Sequence, residues 1–488
     1  MFRQPGFKPI FMRLRSTISP IRTFSIAVFV LLPLLTLPAA GIAQTLPEPE
    51  SEQLLNGLRI LLWLRPGDQD VILKLRIHSG AAFDLAGKSG EMALLGDILF
   101  PDPATREYFT EQMQGRLQVT TNYDSLTITL QGRASDFERI VESLRNALVT
   151  TQITPENVIK VREGRVKLVK ETAVSSGMLA DRAIAARLFG DFPYGAPEAG
   201  STESLRRVDR SDLLLARERF LNSNNATLAV IGDLERSRAM RTLRQLLGIW
   251  RKGERNVPST FRQPQPPDTR TMLIKAPADQ TAEIRVAVVG LARSDRDCPA
   301  ANLLAAVARR RWENGFPELS RKPVFARHEA HVLPGMFVMG ATVSIPLAAK
   351  TLESAKNVLQ SFTQTPVTTL ELEQAKSEYI SQPTKELMTA DGLAQAWLDI
   401  HTYNLPPLAE QRSTLAGLTA ADLQRTASRL FREASIASIA LGDSDPLRVE
   451  LEPHLKLEVI GEMPAKANAP SQPAAKPSTP SPGLPKPD

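Results

Sequence analysis

Cysteine is almost missing from this chain. Cys298 is the only one in 488 residues, so no internal disulfide can form and no cysteine-built zinc cluster exists. A lone thiol of this kind reads as a small core residue rather than a nucleophile. Histidine is nearly as scarce: His78 stands by itself in the first half, and His328, His331, His401 and His454 follow in the second. Aromatic residues make up 6% of the chain, and no basic run is interleaved with them. The formal net charge of +6 is modest and spread along the sequence, which leaves no nucleic-acid footprint. What is abundant is ordinary globular material, with 42% hydrophobic and 23% charged residues. The length exceeds one core, so two or more domains are expected.

The first 22 residues carry Arg3, Lys8, Arg13, Arg15 and Arg22 without an acid, and Thr23 to Pro47 carry no charge. Ile26 to Leu37 is strongly apolar, and small residues run to Gly41-Ile42-Ala43. A basic stretch, an apolar stretch and a small-residue site predict a signal peptide over 1–43, removed after Ala43. The competing reading is an uncleaved inner-membrane anchor over 23–43. Either places the mature chain outside a bacterial cytoplasm, in the periplasm or secreted, with no membrane span left after cleavage. At the other end Pro464 to Asp488 holds eight prolines in 25 residues, the composition of a disordered tail.

Between these ends, strand and helix patterns alternate. Arg59 to Leu64 and Val71 to Ile77 read as strands. Gly80 to Gly90, with three glycines and Asp84, is a loop. Ser89 is placed to cap a helix from Glu91 to Phe100. Residues 104–114 read as a helix, Gly115 to Leu130 as a hairpin turning at Asn122 to Asp124, and 136–148 and 154–174 as helices. Pro193-Tyr194-Gly195 and Gly200-Ser201-Thr202 precede a helix start, and Asn224 to Asp233 reads as a strand ending Ile231-Gly232-Asp233. Pro258 to Thr269 is proline-rich and reads as a linker. Strands at 271–275 and 282–289, helices at 300–311, 351–362 and 370–379, and a last strand closing Leu441-Gly442-Asp443 then repeat the earlier order, which predicts a diverged internal repeat.

The strand, glycine loop and helix around residues 71–100, the Asn56-Gly57-Leu58 opening, Pro193-Tyr194-Gly195 and the two Gly-Asp strand ends resemble the insulinase/pitrilysin family of zinc peptidases, which includes the mitochondrial processing peptidases. The resemblance implies an α+β, processing-peptidase-like fold: two homologous lobes of helix-covered, mostly antiparallel sheet. It divides the chain into leader 1–43, N-terminal lobe 44–257, linker 258–270, C-terminal lobe 271–462 and tail 463–488. Active relatives carry His-x-x-Glu-His on the first helix, where i and i+4 imidazoles clamp zinc and the Glu is the general base. Aligned on Gly90-Glu91-Met92 and Ile98-Leu99-Phe100, those five positions here read Ala93-Leu94-Leu95-Gly96-Asp97. Ala93 offers no ligand atom. Gly96 offers no base and costs roughly 1 kcal/mol of helix stability against alanine. Asp97 by itself cannot hold zinc.

No catalytic residue, no metal site and no cofactor is therefore expected, although zinc is the family's metal. The family's third ligand is a Glu on a later helix, for which Glu171 is the best match, stranded without its partners, with Glu163 about two turns upstream. The family also uses an Arg/Tyr pair from the second half; Arg309, Arg310, Arg311, Arg321 and Arg327 are present there, without a Tyr. Arg309-Arg310-Arg311-Trp312 reads as a helix end, where cations are favoured, or as a contact for a peptide carboxylate. His328 and His331 face opposite sides if the segment is a strand and share a side if it is a helix, so a metal there stays open. The resemblance implies a non-catalytic subunit that pairs with an active zinc-peptidase paralogue and binds peptide or unfolded segments in a shared chamber. Alternatives are a stand-alone peptide- or envelope-protein-binding module, or an unorthodox metallopeptidase.

Overall fold

The structure is a computed structural model and describes residues 48–172, 175–254, 261–276, 280–319, 324–381 and 387–460. The expected leader 1–43, the start of the linker at 258–260, Arg321 and the tail 463–488 lie outside these residues.

Two six-stranded mixed sheets dominate. The first contains β1 (Glu50–Gln53), β2 (Arg59–Leu64), β3 (Asp70–Ile77), β4 (Arg116–Thr121), β5 (Leu126–Arg133) and β6 (Ala226–Gly232), in the order β1-β2-β6-β3-β5-β4. The second contains β7 (Thr271–Lys275), β8 (Thr281–Val289), β9 (Val324–Glu329), β10 (Met336–Ser344), β11 (Ala437–Gly442) and β12 (Leu457–Ile460), in the order β12-β7-β11-β8-β10-β9. Five strands repeat in the same order and direction. β2 runs parallel to β6 as β7 does to β11, and the other pairings within the five are antiparallel. The sixth strands differ, since β1 is antiparallel to β2 whereas β12 is parallel to β7.

The register makes the repeat residue-specific. Lys74 lies opposite Ala229, three positions before Gly232, and Arg285 lies opposite Ile439, three before Gly442. Both cations point to an acid on a helix that covers the sheet. Lys74 pairs with Asp391 at 3.1 Å and Arg285 with Asp181 at 2.6 Å.

Those covering helices are exchanged between the sequence halves. In β2 the alternation of a strand sends Ile60 and Leu62 to one face and Leu61 and Trp63 to the other. The first face packs with Met92, Leu95, Ile98, Ile140 and Leu243 of the first half's own helices. The second face, with Ala229 and Ile231 of β6, is covered by Leu393, Ala394 and Leu398 of the helix Ala390–Tyr403. Reciprocally, Met272, Ile274, Ala287, Ile439 and Leu441 of the second sheet are covered by Ala180, Ala183, Ile184 and Leu188 of the helix Ser176–Phe189. Strands buried on both faces read as unbroken apolar runs, which is why Arg59–Leu64 and Ala226–Gly232 show little alternation. Among the described residues no helix is long and apolar enough to cross a membrane.

Candidate functional site

The glycine loop leads into the helix Glu91–Ile98, but its cap is not Ser89. The N-cap is Gly90, held at φ 92, and no side chain of its own caps the helix. Asp84, from the start of the loop, accepts from the Gly90 and Met92 amides at 2.6 and 2.8 Å and satisfies the first turn instead. Burial pushes its carboxyl up to about 8, against those backbone donors. A side chain at Gly90 would strike Leu205 at 2.6 Å and the Gly200 backbone at 2.9 Å, so the left-handed turn and the close approach both require glycine. Ser89 turns inward to bond Ser204, next to the helix that Ser201 caps.

The five positions aligned with the motif all lie on the 91–98 helix. Ala93 is buried at 2% exposure. Gly96 faces the hairpin: a Cβ there would lie 2.8 Å from Val119 Cγ1 of β4 and 3.2 Å from Leu126 Cδ1 of β5. Asp97 is engaged by a residue that the sequence reading did not single out. Arg165, on the helix Pro155–Glu171, donates from Nε to Asp97 Oδ2 at 2.6 Å and from Nη2 to Oδ1 at 2.9 Å. This is a side-on, two-pronged pair of the geometry favoured by guanidinium and carboxylate, with side chains only 14% and 21% exposed. Glu171 sits at the end of the same helix, 64% exposed, 3.8 Å from Lys167, and Glu163 lines the same shallow groove with it, beside Arg162, Lys167 and Arg206.

These residues do not fit zinc. Neither Ala93 nor Gly96 has a donor atom, both Asp97 oxygens carry guanidinium hydrogens, and Glu171 is turned to solvent. Among the described residues no three His, Cys, Asp or Glu side chains gather as a ligand set. A single substitution does not restore the base either. Gly96→Glu places a carboxylate against Val119 and Leu126, and is expected to destabilise the chain by about 3 kcal/mol or more. A thermal melt checks this; an unchanged midpoint would show that the hairpin yields freely.

The remaining sequence candidates resolve into structure. His328, on β9, accepts from the Leu291 amide at Nε2 and meets Asn302 Oδ1 at Nδ1, each at 2.9 Å. His331, in the β9–β10 turn, meets Asp124 Oδ2 at 3.0 Å. The two rings serve different partners and do not converge on one ion. The arginine run is not a helix end: the helix Cys298–Gly315 continues past it. Arg309 and Arg310 pair with Glu378 and Arg311 with Glu371, at 2.8, 3.0 and 2.7 Å, tying this helix to Thr369–Ser381. Arg327 bridges to Asp181 at 3.0 Å.

Where the β4–β5 and β9–β10 turns meet, a buried polar junction forms that sequence reading missed. Asp124, 3% exposed, accepts from the Val332 amide at 3.1 Å, the Tyr403 hydroxyl at 3.2 Å and the Tyr194 hydroxyl at 3.3 Å, besides its contact with His331. Tyr194 in turn accepts from the Leu333 amide at 3.0 Å. Burial alone would lower the His331 pKa, but the Asp124 hydrogen bond and charge hold it above its ordinary value. Burial drives both tyrosines upward.

Two other imidazoles are held neutral. Burial lowers His78, lodged between Thr227 and Thr402, to about 3, and His328 to about 4. Unfolded imidazoles protonate near pH 6.5, so between those values the unfolded chain binds more protons and stability falls as pH falls. At pH 5 each should cost about 2 kcal/mol relative to neutral pH. Raised carboxyls such as Asp84 act in the opposite sense over the same window, so the difference between two proteins isolates the imidazole. Going from pH 7.5 to pH 5, His78→Gln should fare better in melting temperature than the unsubstituted chain, and equal changes in the two would contradict this.

Comparison with known proteins places this geometry. Residues 207–310 match the family model described as the peptidase M16 inactive domain. A 223-residue stretch is 21% identical to cytochrome b-c1 complex subunit 1, mitochondrial, of Bos taurus; the match spans 45% of each chain, so the chain covers less than half the length of that curated relative. Among solved structures, the peptidase M16 inactive domain from Pseudomonas fluorescens superposes with a TM-score of 0.70 at 16% identity, over 85% of this chain and all of the other. A protease from Helicobacter pylori superposes at 0.71 and 15%, over 82% and 100%. The periplasmic protease PqqL from Escherichia coli does so at 0.70 and 14%, over 88% of this chain and 53% of PqqL. At such identities these structural likenesses are likenesses of fold.

Proposed function

We propose that this chain, an inactive homologue of the M16 peptidases, is the non-catalytic subunit of a peptide-handling pair. It closes a chamber with a zinc-peptidase paralogue that carries His-x-x-Glu-His, and holds extended peptide there. The observation that carries the reading is the Arg165–Asp97 fork, formed at the residue that the resemblance aligns with a zinc ligand, together with a hairpin whose outer strand has no second strand partner among the described residues. β4 is the edge of its sheet, with β5 as its only strand neighbour among the described residues. Its outer backbone groups can pair with an added strand, and Arg116, Gln118 and Thr120 along it are exposed.

Pairing is supported by what the similar proteins are. One is named as a subunit of the cytochrome b-c1 complex, and a structure of Complex III2 from Candida albicans superposes with a TM-score of 0.66. PqqL carries nearly twice the length that this chain matches. PqqL is also periplasmic by name, which supports export through the 1–43 leader, and the division into lobes 44–257 and 271–462, linker 258–270 and tail 463–488 belongs to the same reading.

The test is to mix the mature chain, residues 44–488, with the zinc-motif paralogue from the same source, and to follow co-elution and peptide hydrolysis. A joint peak and faster, chelator-sensitive hydrolysis are expected. Separate peaks with unchanged hydrolysis would sink the pairing and leave a stand-alone peptide binder.

A further inference from the structure

A guanidinium has five N–H donors in one plane. Asp97 takes one from Nε and one from Nη2 of Arg165, which leaves three, two of them on Nη1. Nη1 has no acceptor among the described residues and is not among the fully buried polar atoms without a partner, so it is not sealed from solvent. The carboxylate fixes the plane, and the 14% exposure of the side chain leaves little freedom to move. The 91–98 helix that carries Asp97 rests on β4 through Gly96 and Val119, so the fork is held one residue along that helix from its contact with the edge strand.

We propose that Arg165 is a peptide-binding residue: its outward N–H groups grip a main-chain oxygen, carbonyl or terminal carboxylate, of a peptide added to β4. This rests on the reading above that β4 receives peptide. A preorganised cation that presents fixed donors to an oxygen polarises it and holds it in register. The chain thus keeps a cationic oxygen anchor in the metal's place without the water-activating chemistry that a metal supplies. Asp97 is the positioning residue. It stops the guanidinium from swinging away and neutralises enough of its charge for a neutral carbonyl to be an adequate ligand.

The probe is a pool of fluorescein-labelled random decapeptides, made with free and with amidated C termini and titrated against the full mature chain by fluorescence anisotropy. Arg165→Lys keeps a charge against Asp97 but loses the outward fork, and Arg165→Met removes the cation. Both should weaken binding by about ten- to a hundred-fold, the range for hydrogen bonds to a charged group, with Arg165→Lys retaining the wild-type melting temperature. If Arg165→Met does not fold, Arg165→Lys decides by itself. A loss confined to free-terminus peptides assigns the oxygen to a terminal carboxylate; equal loss for amidated peptides assigns it to a carbonyl. Wild-type affinity in Arg165→Lys for both pools would overturn the assignment while leaving peptide binding intact. Failure of the wild-type chain to bind either pool would overturn the underlying reading, and the assignment with it.

Discussion

Residues 44–257 produced without the second half should not fold to a native state, and neither should residues 258–488. Each sheet exposes an apolar face that only the other half covers. On the first, Leu61, Trp63, Ala229 and Ile231 are between 0 and 4% exposed, and Leu393, Ala394 and Leu398 of the 390–403 helix are fully buried against them. At about 1.5–3 kcal/mol for each large side chain, stripping this helix away forfeits on the order of 10 kcal/mol, comparable to the whole stability of a typical domain. It also leaves Lys74 and Arg76 buried at 7% and 2% exposure without Asp391 and Asp399. The second sheet loses the 176–189 helix in the same way, and Arg285, 3% exposed, loses Asp181. The separate halves should bind a hydrophobic dye, aggregate and lack a cooperative melt, and co-expression should recover a soluble complex. A cooperative, monomeric melt for residues 44–257 would show that the exchanged helices add little.

Asp124→Ala should cost about 3–5 kcal/mol, since it removes the acceptor for four groups drawn from both halves and leaves buried donors unpaired. Asp124→Asn preserves the volume and one acceptor oxygen, and should cost about half as much. Urea unfolding measures both. Combined with Tyr403→Phe, the alanine variant should lose less than the sum of the two single losses, because they share one hydrogen bond. Strict additivity, or a loss under 1 kcal/mol, would mean that this junction does not hold the halves together.

Much of the fold was legible because period and punctuation agreed with tertiary context. Arg59 to Leu64 and Thr271 to Lys275 are strands over the residues read from sequence. The hairpin turns where Asn122 invited it, with Asn122 Oδ1 accepting from the Asp124 and Ser125 amides. Gly-Asp at the ends of Ala226–Gly232 and Ala437–Gly442 did mark a repeat. What could not be read was exchange: nothing in the 176–189 helix reveals which sheet its Ala180, Ala183 and Ile184 face, because amphipathicity specifies a face and not a partner. Ser89 failed as a cap for a related reason. A carboxylate at Asp84 reached the same amides from a loop whose path no local propensity describes.

At the site, the sequence itself showed that Ala93 and Gly96 carry no ligand atom and that Asp97 has no ligand neighbours, but not what engages Asp97. Arg165 lies 68 residues from Asp97 on a helix rich in Lys and Arg, where one arginine looks like the next. The one available signal was complementarity, since a half-buried Asp left at a metal position needs a cation, and a helix already expected to face it was the place to look. Asp124 gave no signal of its own, because the β9–β10 turn that completes its junction is remote in sequence.

Under the proposed function, Arg165 and Asp97 have replaced a metal centre. Its most direct test is zinc stoichiometry of the purified mature chain, measured by elemental analysis after equilibration with equimolar zinc and desalting, with peptide hydrolysis assayed on the same sample. The expected result is well under 0.1 zinc per chain, on the order of surface contamination for a site lacking three converging ligands, and no chelator-sensitive hydrolysis. One zinc per chain, lost in Asp97→Asn and accompanied by hydrolysis that a chelator stops, would contradict it.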